Sequence, residues 1–250
     1  MKPVLEVCCG DIASVRAAAA GGAFRVELCS ALGAGGVTPS AGFMAAAAAV
    51  DGVRKHALIR PREGDFVYSA DEVEAMRHDI SLARTLGLDG VVIGALCHDG
   101  SIDTDTCNAL IEVAEGMSVT FHRAFDLLKS PFEALEQLIG MGVDRILTSG
   151  LAATALDGSE MLRGLQKAAG DKLIIMPGCG VKPGNAAEIL RLSGCREIHA
   201  SARGSIASEM TYRRTGVSMG TPGTDEYSRM TTDASEVRAI VEAIESLQIV

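Results

Sequence analysis

The chain has 250 residues and a mass of 26.0 kDa, enough for one large α/β domain or two small ones, because single cores stop growing at roughly 250 to 300 residues. Hydrophobic residues make up 48% and charged residues 22%, a balance that excludes disordered, collagen-like and disulfide-scaffold chains. The net charge of −9 and pI near 5.1 have the wrong sign for gripping a phosphate backbone, so no nucleic-acid partner is expected.

Seven cysteines are too sparse for a disulfide framework, and their odd number leaves a thiol over in any intramolecular pairing; a reducing, cytoplasmic setting is expected. Met1-Lys2-Pro3 leads straight into a strand-like segment without a secretory pattern, and no apolar run reaches membrane-spanning length. No membrane partner is expected.

In chain order, a strand-like segment beginning near Val4 precedes a helical pattern over residues 12–20, one near Arg25 precedes 40–50, one near Ala57 precedes 71–86, and one near Gly90 precedes 103–115. The alternation continues with strands from Ser118, Asp144, Leu173 and Glu197 and helices over 131–141, 158–169 and 185–192. A last helix carries Val237, Ile240, Val241, Ile244 and Leu247 on one stripe, with Asp233 and Glu236 placed as a capping box. Eight strand–helix units demand right-handed crossovers and a parallel sheet, and predict a closed (β/α)₈ TIM barrel as a single domain over residues 1–250. An open doubly wound sheet is the alternative. Cys9-Gly10-Asp11 at the first strand–helix junction lacks the glycine fingerprint, so no nucleotide cofactor is indicated. The stretch 202–230 after the eighth strand, with Gly204, Gly216, Gly220, Pro222 and Gly223, reads as a lid, binding loop or interface.

Side chains alternate faces along a strand. Placing the polar parity inward gives Glu6, Cys8, Glu27, Cys29, Arg60, Thr120, His122, Thr148, Glu197, His199 and Ser201. A barrel lumen is normally filled by branched aliphatics, so these groups must be paired to offset desolvation. The bland account is a buried network of Glu6 and Glu27 with Arg60. The functional account notes that Cys8, Cys29, Arg60, His122 and Ser201 fall at the C-terminal strand ends, where barrel active sites lie. There Arg60, Arg62 and Asp65 after the third strand, and Arg123 and Asp126 after the fifth, suit a carboxylate or phosphate. Gly178 and Gly180 in loop seven, and His199, Ser201 and Gly204 around loop eight, occupy the usual barrel phosphate position. Glu6, Glu27 and His122 are the acid/base candidates. No CxxC or HExxH spacing is present, but Cys8 and Cys29 on neighbouring strands are soft ligands that could share one Cu(I). Cys9, Cys97, Cys107 and Cys195 read as core, and His56, His78 and His98 as exposed positions.

The runs Leu5-Glu6-Val7-Cys8, Arg25-Val26-Glu27-Leu28-Cys29, Gly35-Gly36-Val37-Thr38-Pro39-Ser40, residues 59–66, residues 120–126, Leu147-Thr148-Ser149-Gly150 and Glu197-Ile198-His199-Ala200-Ser201 together resemble the CutC copper homeostasis family. The likeness runs through Asp225-Glu226-Tyr227-Ser228. It implies a (β/α)₈ barrel, a cytoplasmic homo-oligomer (dimer or tetramer), and a role in handling copper with Cys8 and Cys29 as the natural ligands. Two positions depart from the pattern: Glu63 stands where glycine is expected, and Cys179 where a small residue is usual. The leading expectation is a CutC-like protein handling Cu(I). The runner-up is an enzyme acting on a small anionic metabolite.

Overall fold

The computed structural model describes residues 2–217, 219 and 225–247. Its elements run β1 (Val4–Cys9), α1 (Ile12–Ala20), β2 (Arg25–Leu28), α2 (Ala41–Ala48), β3 (Arg54–Leu58), α3 (Ala70–Thr85), β4 (Gly90–Ile93), α4 (Thr104–Val113), β5 (Ser118–Phe121), α5 (Pro131–Gly140), β6 (Arg145–Thr148), α6 (Ser159–Ala169), β7 (Ile174–Pro177), α7 (Ala186–Ser193) and β8 (Glu197–Ala200). An antiparallel pair, β9 (Arg203–Ala207) and β10 (Ser228–Thr232), and then α8 (Ala234–Glu245) complete the chain. The eight parallel strands follow the order β7-β6-β5-β4-β3-β2-β1-β8, and β7 lies beside β8. This is a single-domain (β/α)₈ TIM barrel.

Local chemistry explains the element boundaries. Ser69 and Glu72 form a reciprocal capping box at the start of α3, and Met76, Ile80 and Ala83 repeat at helical spacing on its buried face. Pro131 occupies the first turn of α5, where its missing N–H costs nothing. On α8 the stripe predicted from sequence buries Val237, Ile240 and Ile244, and the Asp233 carboxylate accepts the Ser235 N–H. Outward parities of the strands, such as Leu5, Val7, Val26, Leu28, Val91, Ile93 and Ile198, are buried against the helices. A separate small apolar cluster, Cys8, Cys29, Leu58 and Val92, sits inside the ring.

Several expectations need correction. Strand β3 begins at Arg54, three residues ahead of the predicted start, because Arg25 pairs with Arg54 and Glu27 with His56 along the ladder. His56 is therefore buried in the lumen, and Gly90 opposite it supplies room for the ring, since a β-carbon there would stand 2.6 Å from Nε2. Cys97 is exposed, whereas Cys9, Cys107 and Cys195 are buried. The stretch 202–230 is not all loop: Arg203 pairs with Thr232 and Ala207 with Ser228, so Gly204 is a strand residue. Ser14 Oγ ties the hairpin to α1, accepting the Thr232 N–H at 3.1 Å and lying 3.1 Å from Thr231 Oγ1. Gly220, Pro222 and Gly223 lie outside the described residues. No described helix is long and apolar enough to cross a membrane.

Candidate active site at the C-terminal mouth

Parallel register sets Glu6 opposite Arg25 on one side and His199 on the other. The Arg25 guanidinium, fully buried, bonds Glu6 Oε2 through Nε and Glu197 Oε2 through Nη2 at 2.5 Å. Arg145 closes the lower layer: its Nε meets Glu197 Oε2 at 2.7 Å and its Nη1 donates to Thr120 Oγ1 at 3.2 Å. Burial by itself would raise the Glu6 pKa, but Arg25 and His199 reverse this and hold it well below the carboxylate range. Glu197 is lowered in the same way by Arg145 and Arg25. Parity alone assigns the compensating role to Arg60; the carboxylates instead pair with Arg25 and Arg145. Arg25 shares parity with Glu27, which was a readable signal. Arg145 and Leu147 share the inward parity of β6 instead of Thr148, whose hydroxyl donates to Asp126 Oδ1 at 2.5 Å.

One layer higher, Glu6 Oε1 bonds His199 Nδ1 at 2.7 Å, and His199 Nε2 lies 3.9 Å from Glu27 Oε2. Burial opposes the imidazolium, yet hydrogen bonds to Cys8 and Glu6 raise the His199 pKa well above its ordinary value. Burial raises that of Glu27, a rise that His199 only partly offsets. Glu27 Oε2 also accepts the Cys29 thiol at 3.3 Å, and burial followed by the Glu27 charge keeps that thiol protonated, its pKa well above the usual range. Cys8 Sγ lies 3.9 Å from Arg203 Nη2.

These groups open into a cavity of about 590 Å³, whose wall includes Cys8, Glu27, Arg60, Phe66, His122, Arg123, Gly180, Lys182, His199, Ser201 and Arg203. Gly178 supports this wall from behind, because a β-carbon there would stand 2.5 Å from Leu147 Cδ1 and 3.3 Å from His199 Cβ. Gly180 has φ +73, and Cys179 has φ +85, a region costly for a side-chain-bearing residue by about 1–3 kcal/mol and concentrated at functional sites. The loop is held by Asn185, which accepts the Lys182 N–H at 2.8 Å and donates to the Gly180 carbonyl at 3.0 Å. Among the described residues no acceptor is paired with the Gly180 and Val181 N–H groups, and both residues line the cavity.

The remaining candidates divide. Arg60 spends its Nη atoms on the carbonyls of Ala34, Gly36 and Gly64, so it organises two loops as well as facing the cavity. Arg123 faces the cavity with its Nε on Asp126 Oδ2 at 2.7 Å. Asp126 itself is occupied by Thr148 and by the Ser149 N–H and holds the loop after β6. Arg62 and Asp65 lie off the wall, paired with each other, and Arg62 also pairs with Glu72. His122 accepts the Ala124 N–H at Nδ1 and packs where Gly94 leaves space: a β-carbon at 94 would stand 2.5 Å from the ring. Gly94→Ala is therefore expected to destabilise the fold by about 1–3 kcal/mol; an unchanged urea midpoint would show that the ring moves freely. Lys182, Phe66 and Arg203 are wall residues that sequence parity could not have found, since they lie on loops and on the hairpin.

The family model for CutC matches residues 3–204. The chain belongs to the CutC family. A CutC family protein of Chromobacterium violaceum is 53% identical over 245 residues, covering 98% of this chain and 99% of the relative. One of Porphyromonas gingivalis is 48% identical over 248 residues, covering 99% and 100%. The solved structure of a Streptococcus agalactiae CutC, which carries a copper-homeostasis designation, superposes with a TM-score of 0.77 at 30% identity, covering 80% of this chain and 98% of that one. Every run quoted from the sequence up to Ser201 falls inside the matched CutC region, and so do the strand-borne groups of the mouth.

Proposed function

We propose that this CutC protein is an enzyme that binds a small anionic metabolite at the barrel mouth and moves a proton on it. The observation that carries the reading is the wall on which Glu27 and His199 face a cavity bordered by Arg123, Lys182, Arg203 and the free N–H groups of Gly180 and Val181. The cations and N–H groups suit a carboxylate or phosphate. Glu6 fixes the His199 ring through Nδ1, which aims Nε2 at the cavity, and Glu27, whose pKa burial raises, is the carboxyl placed beside it to exchange a proton. Inorganic phosphate titrated into the protein should shift the Gly180 and Val181 amide resonances. In a metabolite-extract screen, Glu27→Gln should lose roughly 10²- to 10⁴-fold of turnover and keep phosphate binding. A wild type that neither binds phosphate nor turns anything over would end this reading.

A second reading, Cu(I) as cargo, is favoured by one observation: Cys8 and Cys29 share the same lumen cluster with Leu58 and Val92. Two soft thiolates in apolar surroundings fit Cu(I). The donor set is thin, since no group of three or more histidine, cysteine or acidic side chains among the described residues is placed to hold a metal. The Cys29 thiol also has to give up a proton that burial and Glu27 retain. Anaerobic Cu(I) competition comparing wild type with the Cys8→Ser, Cys29→Ser pair decides it: equal affinities remove copper from the site.

A further inference from the structure

His122 reads from sequence as an acid or base, but its surroundings give it another role. Its Nδ1 accepts the Ala124 N–H at 3.1 Å, so the uncharged ring must carry its proton on Nε2. The ring is 5% exposed, and burial, then Arg60, push its pKa down to about 3. Nε2 is buried and has no partner, and the same holds for Arg60 Nε. Both residues border the cavity and flank one aromatic ring: Phe66 lies 4.8 Å from the His122 centroid and 4.8 Å from Arg60 Cζ. Buried donors left unpaired are costly, so two against one ring at a cavity wall point to an absent acceptor.

We propose that His122 Nε2–H and Arg60 Nε–H together donate to an acceptor-only oxygen of the bound small molecule, a ketone or a carboxylate oxygen, with the Phe66 ring turning aside to admit it. The proposal rests on the cavity being an anion site. A hydroxyl fits poorly, because neither donor carries a lone pair to receive its hydrogen. A neutral imidazole with a fixed Nε2–H is suited to polarising such an oxygen without giving up its proton.

Histidine side-chain ¹H–¹⁵N NMR on the ligand-free full chain tests the tautomer first. His122 should show protonated Nε2 and unprotonated Nδ1 across pH 5 to 8; the opposite tautomer, or titration in that range, overturns the proposal. Three probes with a common phosphate are then titrated: dihydroxyacetone phosphate carries the ketone, 2-phosphoglycolate the carboxylate, and sn-glycerol 3-phosphate only hydroxyls. The ketone or the carboxylate, whichever the site takes, should bind at least tenfold tighter than the glycerol ester and shift the Nε2–H resonance. His122→Ala should bring the affinities together. All three binding alike, or a preference that survives His122→Ala, overturns this inference alone. If no probe perturbs the cavity resonances, the anion-site reading falls and this one falls with it.

Discussion

Arg25→Met should cost about 3–5 kcal/mol of stability, the usual result of removing one partner from a buried ion pair and leaving the others charged and unpaired. Arg25 is 2% exposed and bonds both Glu6 and Glu197. Methionine approximates the stem but leaves Glu6 facing only His199, and Glu197 held only by Arg145. Domains of this kind have a net stability of about 5–15 kcal/mol, so urea denaturation followed by circular dichroism should show a large fall in midpoint. Adding Glu6→Gln to the same chain should restore part of the loss, because Glu6 is the carboxylate left without a guanidinium, whereas Glu197 stays charged to pair Arg145. By contrast, Lys2→Ala, which breaks a pair whose side chains are 80% and 46% exposed, should not move the midpoint measurably. A loss below about 1 kcal/mol for Arg25→Met would mean that water or backbone rearrangement compensates the two glutamates, and that the layer under the site is not rigid.

The barrel was legible because its signal is redundant. Each strand–helix unit repeats the same switch from alternating to helical spacing, and a three-residue error at β3 leaves the count of units unchanged. That error had a physical origin: His56 reads as an exposed position behind the polar Arg54 and Lys55, and only the ladder with β2 shows that His56 is interior. Parity placed Glu6, Glu27, Cys8, Cys29 and His199 around one lumen and left their partners unresolved, because partner choice depends on register between strands distant in sequence. Glu6 meets Arg25 and His199 only because β1 lies between β2 and β8. The same limit explains Arg62. Its chemistry suits an anion, but Glu72 on the first turn of α3 and Asp65 on the adjoining loop claim its guanidinium. Lys182 and Arg203 reach the cavity from a loop and from the hairpin, where no periodicity reports direction.

Stability should also fall steeply with acid between pH 6 and 5, well before the carboxylates titrate. His56 and His122 are the cause. Burial pushes each down to about 3, aided at His56 by Arg25, Arg145 and Arg54 against the pull of Glu6, and at His122 by Arg60. Unfolded, both return to about 6.5, so between those values the unfolded chain binds two protons that the folded chain refuses. The stabilisation from keeping both rings neutral is present above pH 6.5 and is lost as pH falls toward 3, at up to roughly 1.4 kcal/mol per pH unit for each ring. Other groups leave the sign unchanged. His199 is raised, hence protonated in both states below pH 6.5, and its contribution is lost only as pH rises through its folded value. Glu27 is raised and offsets at most one of the two protons, while Glu6 and Glu197 are lowered and add their losses below the ordinary carboxylate range of about 4.3. The net fall from pH 6 to 5 is thus about 1–2.5 kcal/mol, readable as a drop in urea midpoint across a buffer series at constant ionic strength. His56→Gln and His122→Gln should each remove close to one proton from the slope, whatever they do to the midpoint at pH 7. A profile flat between pH 6.5 and 5, or a slope indifferent to both substitutions, would mean that the two rings are hydrated and charged in the folded chain, contrary to their burial.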